Sequence, residues 1–125
     1  MFDPKVARAN RIYSRLKGTM YAGPGEYDSI VISVDPDKDY EDDTAIKVTR
    51  QLTNAAGKQF THKETFIIGG DCIPDRTIEF EDYLDDSGIE EYSDYVGCKE
   101  RVTLRKQSTS RGVYTNIVAR VFVSK

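Results

Sequence analysis

The chain has 125 residues, of which 38% are hydrophobic, 31% charged and 10% aromatic, with no tryptophan. That balance is too apolar and aromatic for a disordered tail and too charged for a membrane protein, and the length suits one core better than two domains with a cleft between them. The net charge of −3, taken as a total, speaks against a nucleic-acid protein, for which a basic balance is the usual sign.

Pro4, Val6, Ala9, Tyr13 and Leu16 recur at steps of three and four, with Arg8, Arg11 and Arg15 on a neighbouring stripe. The spacing predicts a short basic amphipathic helix over 4–17, capped by Asp3 and stopped by Gly18. The opening residues carry no apolar signal core, and no apolar run nears the roughly 20 residues of a bilayer span, so a cytoplasmic chain without membrane contact is expected. Gly23-Pro24-Gly25 marks a turn. Ile30, Ile32 and Val34 alternate over 28–34 as a first strand, and 35–43 is a charged loop. Residues 44–53 form a second strand, with Ile46, Val48 and Leu52 on one face and Lys47, Thr49 and Gln51 on the other; Arg50 breaks the pattern. Asn54-Ala55-Ala56-Gly57 is a tight connection to a third strand over 58–68. Gly69 to Asp75 ends it, and 77–95 reads as helical in one or two pieces, interrupted at Ser87-Gly88. A fourth strand over 99–106 and a fifth over 113–123 flank a turn at 108–112.

Three strands, a helical insert and two further strands, behind a short N-terminal helix, match a mainly β fold: the five-stranded Greek-key barrel called the OB-fold, one face of which binds oligonucleotides together with the loops after strands one and four. The expected domain is the whole of 1–125, with the basic helix within 1–17 and the barrel over 28–123. The charge then gains a geometry. Residues 1–17 hold five bases and one acid, 44–63 four bases and no acid, and 99–125 seven bases against Glu100, whereas 71–94 hold ten acids against Arg76. The bases follow the strands and the acids follow the insert.

Phosphates pair with Lys and Arg, and unstacked bases lie on aromatic faces. The residues that combine these types on the predicted strands are Lys47, Arg50, Phe60, His62, Lys63, Arg101, Arg105, Lys106, Arg111 and Tyr114, with Arg8, Arg11 and Arg15 as accessory phosphate contacts and Tyr21 or Tyr27 as further platforms. Period-two alternation forbids Lys47, Lys63, Arg101 and Arg105 from all pointing inward. Other chemistry is poorly supported. Asp35, Asp37 and Asp39 have the opening spacing of a calcium loop, but Tyr40 and Ile46 stand where Gly and Glu are required. Cys72 and Cys98 are read as buried reduced thiols, and one His with two distant Cys gives no zinc site, so no metal or cofactor is expected. His62 lacks a nucleophile partner, and no catalytic constellation is present.

The run from Tyr95-Val96-Gly97-Cys98-Lys99 to Arg105-Lys106, then a polar hairpin with Gly112, then Val113-Tyr114-Thr115-Asn116-Ile117-Val118, resembles the final hairpin of small OB-fold single-stranded-DNA-binding proteins of bacteriophages and related mobile elements. The resemblance implies a non-enzymatic protein that coats single strands during replication or recombination in a bacterial host, commonly as a homodimer or higher oligomer. RNA is the second candidate ligand. Bacterial members end in an acidic recruiting tail, whereas this chain ends Val121-Phe122-Val123-Ser124-Lys125. The rival reading is a phage or plasmid interaction module that docks a partner through its acidic insert or a sheet edge.

Overall fold

The computed structural model describes residues 22–40, 44–110 and 112–125. The expected helix at 4–17, with Arg8, Arg11, Arg15 and Tyr21, and the side chain of Arg111 lie outside them. Five strands, β1 (Gly25–Pro36), β2 (Ala45–Thr53), β3 (Gln59–Ile67), β4 (Lys99–Thr109) and β5 (Gly112–Ser124), and two helices, α1 (Asp75–Asp86) and α2 (Tyr92–Tyr95), follow the predicted order. β1 begins earlier and β4 runs further than the hydrophobic pattern indicates, because ladder bonds to the neighbouring strand carry both ends past the alternating apolar run.

All strand pairs are antiparallel, in the order β3-β2-β1-β4-β5. Strands one to four therefore stand 4-1-2-3, the Greek-key order, with the helices on the long connection from β3 back to β4. The expected barrel needs a β3–β5 ladder to close, and among the described residues the sheet has none; Glu64 of β3 and Arg120 of β5 meet as an ion pair. Bulges at Val31/Ser33 in β1 and at Thr103/Leu104 against β5 increase the coiling of the sheet.

Local chemistry sets the connections. Asn54 Oδ1 accepts from the amides of Ala56 and Lys58, at 3.0 and 2.9 Å, closing the β2–β3 turn. α1 ends in a Schellman motif: Ile89 N donates to Leu84 O at 2.9 Å and Gly88 N to Asp85 O at 3.0 Å, while Leu84 and Ile89 are both buried. Gly88, at φ 75°, supplies the left-handed residue, so the predicted interruption at Ser87-Gly88 is a helix stop. Gly97, at φ 88°, turns the chain into β4 while its amide donates to Val31 O at 2.7 Å.

The inward face has three layers. At one end Val31, Ile46, Val48, Phe66 and Cys98 pack under Phe80, Leu84, Ile89 and Tyr95 of the helical segment. At the other, Ala22, Tyr27, Leu52, Val102, Leu104 and Ile117 form a second apolar cluster, with Phe60 against it. Between them, at inward register positions, stand Ser29, Arg50, His62, Glu64, Glu100 and Arg120. Of the two thiols expected to be buried, Cys98 is buried and Cys72 is exposed. Among the described residues no helix is long and apolar enough to cross a membrane.

Candidate nucleic-acid interface

The β registers sort the predicted contacts by face. Lys47 lies opposite Thr65, Lys63 opposite Thr49, Arg101 opposite Asp28 and Arg105 opposite Asn116, all at outward positions. Not all are equally available to a phosphate. Arg101 is held by Asp28 at 3.2 Å and Glu26 at 3.3 Å, and Lys47 lies 3.9 Å from Asp37. Asp37 is held below its ordinary value by hydrogen bonds from Thr65 Oγ1 and the Asp39 amide, with Lys47 adding to them. Lys63 is exposed and makes no ion pair among the described residues.

β4 and β5 continue together past the last β1 pair, Gly25 with Leu104, as far as Thr109 with Gly112. Five residues at about 3.4 Å each make a two-stranded arm of roughly 17 Å. It carries Arg105, Lys106 and Tyr114, all exposed, Tyr114 at 49%. No Asp or Glu occurs from Arg101 to Lys125, so the arm has no internal counter-charge. Gln107 and Asn116, joined at 2.7 Å, brace its outward face.

Arg50, expected among the nucleic-acid contacts, belongs elsewhere: it is 0% exposed. Its Nη1 donates to Glu64 Oε1 at 2.7 Å, its Nε to Glu100 Oε1 at 3.0 Å and its Nη2 to the Tyr95 hydroxyl at 2.7 Å. A buried guanidinium requires paired carboxylates, and the neighbouring strands supply them at inward positions. The Tyr95 and Tyr83 hydroxyls both donate to Glu100 Oε2. Arg76 and Arg120 reach Glu64 Oε2 at 2.9 and 2.8 Å. Burial pushes the Glu64 carboxyl up, but Arg50, Arg120 and Arg76 outweigh it and hold it below its ordinary value. Burial also lowers the Arg50 guanidinium, and Tyr95, Glu64 and Glu100 overcome this to keep it charged. Tyr83 and Tyr95 are raised, first by burial.

The aromatic expectations are corrected in part. Phe60 faces inward, edge-on to Tyr27 at 5.8 Å; Tyr27 is buried, its hydroxyl donating to Gly23 O at 2.7 Å. Both sit inside because their β partners, Leu52 and Val102, belong to the second apolar cluster. His62 also faces inward, half-buried, with burial lowering its pKa. Sequence reasoning missed the pairing set of Glu64, Glu100, Tyr83, Tyr95, Arg76 and Arg120. Its signal was charge at positions where the alternation of β2, β3 and β4 requires apolar residues. Compared with known proteins, the chain matches no family model, no curated relative and no solved structure.

Proposed function

We propose that the chain binds single-stranded nucleic acid, DNA in the first instance, with the β4–β5 arm as its grip. The observation that carries this reading is the arm itself: exposed Arg105, Lys106 and Tyr114 on a segment without an acidic residue. Cations there neutralise phosphates, and the Tyr114 ring offers a stacking face. Lys63 on the outward face of β3 extends the basic track. Greek-key order with a helix between β3 and β4 supports an OB-type barrel left open between β3 and β5, in which the β4–β5 connection is one of the binding loops. On this reading the chain coats strands in replication or recombination, as the small phage-type binders do, without catalysis and as an oligomer.

Anisotropy titration of labelled oligothymidine, the matching RNA and a duplex at two salt concentrations tests it. Binding that weakens with salt, prefers the single strand and is lost in R105E/K106E is the expected result; no binding of any single strand at low salt overturns it. A second reading, an interaction module, is favoured by a shallow hollow of about 380 Å³ where Glu81, Asp85, Glu90 and Glu91 surround Leu84, Ile89 and Tyr92. It predicts a basic partner whose binding survives R105E/K106E.

A further inference from the structure

Where the sheet fails to close, it leaves a cleft of about 320 Å³, at the lower end of the range for small-molecule sites. Its lining includes Tyr40, His62, Lys63, Ile67, Arg76 and Asn116. This site is separate from the arm's exposed cations. Its charge is unbalanced: among the lining side chains Lys63 and Arg76 are cationic and Glu64 is the one carboxylate, already met by Arg50, Arg76 and Arg120 at 2.7, 2.9 and 2.8 Å, while Lys63 makes no ion pair among the described residues. Arg76 is half-exposed, with one nitrogen on Thr65 O and another on Glu64, so part of its donor fork remains open to the cleft.

The inner layer adjoining the cleft has hydrogen-bonding capacity left over. Among the described residues, the buried polar side-chain atoms without a partner are Ser29 Oγ, His62 Nδ1 and Arg120 Nε, and all three belong to that layer. Ser29 is 2% exposed. His62 lines the cleft itself, and its Nδ1 is buried without a partner. Unmet groups of this kind are unusual in a folded interior, and of the three residues His62 is the one that lines the cleft. Tyr40 and Ile67 add an aromatic face and an apolar wall.

We propose that the cleft between β3 and β5 binds a nucleoside monophosphate group, its phosphate on Lys63 and Arg76, its polar atoms within reach of His62 and its base against Tyr40. The group comes either from a free nucleotide or from the phosphorylated end of a strand; both present a dianionic phosphomonoester beside a base. Charge-assisted hydrogen bonds from lysine and arginine fit three terminal oxygens better than the two of an internal diester.

Calorimetric titration of the full chain with thymidine 5′-monophosphate and with thymidine tests this. The nucleotide is expected to bind roughly tenfold or more tightly than the nucleoside, and R76Q to lose roughly that factor while its circular dichroism melt stays cooperative. K63Q provides the same measurement should R76Q fail to fold. Oligothymidine with a 5′-phosphate binding more tightly than its 5′-hydroxyl form assigns the strand end as the source; equal binding of the two, with the mononucleotide still bound, assigns the free nucleotide. Equal binding of nucleotide and nucleoside, or nucleotide binding unaffected in both variants, overturns the proposal. Hydroxyl-ended oligothymidine offers the cleft no phosphomonoester, so its failure to bind while the mononucleotide is retained removes the arm reading and leaves the cleft.

Discussion

Val48, Arg50 and Leu52 occupy successive inward positions of β2, and the middle one is a cation with no access to water. Its charge is tolerated because Glu64 and Glu100 arrive from the two flanking directions, β3 beside β2 and β4 beyond β1, and because two tyrosines complete Glu100. Such a cluster is weak evidence for stability but strong evidence for interdependence, since removing one member strands the others. R50M should lower the unfolding free energy by about 3–5 kcal/mol in urea denaturation, because two buried carboxylates lose their main partner. Y95F, which removes one hydroxyl that both accepts and donates, should cost less, about 1–3 kcal/mol. A Y95F loss as large as that of R50M would mean that the tyrosine, not the arginine, organises the layer.

Turns and ladders, rather than burial, fix the elements. Gly97 illustrates this: a methyl group built there meets nothing within 4 Å, so G97A costs only the left-handed backbone, about 1–2 kcal/mol. A chevron or urea titration reading a much larger loss would show that the Gly97–Val31 bond breaks as well. Strand alternation, the Asn54 turn and the Ser87-Gly88 stop were legible because each is a short-range pattern with its own chemistry. Neither the extent of β4 nor the inward turn of Phe60 was legible, since both depend on which strand lies alongside. Arg50 was misread for a related reason: a basic residue on a strand is ordinarily a surface residue, and only the inward charges at Glu64 and Glu100, on strands paired through β1 and β2, reverse that. For the arm, whose charge is local in sequence, bases on the predicted strands and an aromatic just past the turn suffice to propose Arg105, Lys106 and Tyr114; Y114A should weaken oligothymidine binding by about 1–3 kcal/mol if its ring stacks a base.

For the molecule as a whole, the buried titratable groups define a stability window. Glu64 and Asp37 are held below their ordinary values of 4.5 and 3.8, so the unfolded chain binds their protons more readily, and the stability they give is lost as pH falls through their folded values. His62 is lowered from 6.5 by burial and acts in the same sense, from about pH 6.5 downward. Tyr83 and Tyr95 are raised above 10.0, so their contribution is lost as pH rises beyond that value. Melting temperature followed from pH 3 to 11 should form a plateau from neutrality to about pH 10, falling on both sides; a flat profile from pH 7 to 4 would contradict the ionic layer. The net charge of −3 belongs to this scale too, yet the helical segment and the arm divide it unequally.

The two cysteines offer an internal clock. Cys98 is enclosed at the end of α2, its thiol donating to Asp94 O at 3.3 Å and pushed up by burial, while Cys72 stands in solvent after β3. An Ellman-type reagent should therefore titrate one thiol per native chain at once, and the second only as fast as the sheet and helix part. The lag between the two reactions then times the opening of the apolar end of the interior without any label, and a single dye placed on Cys72 leaves that end undisturbed.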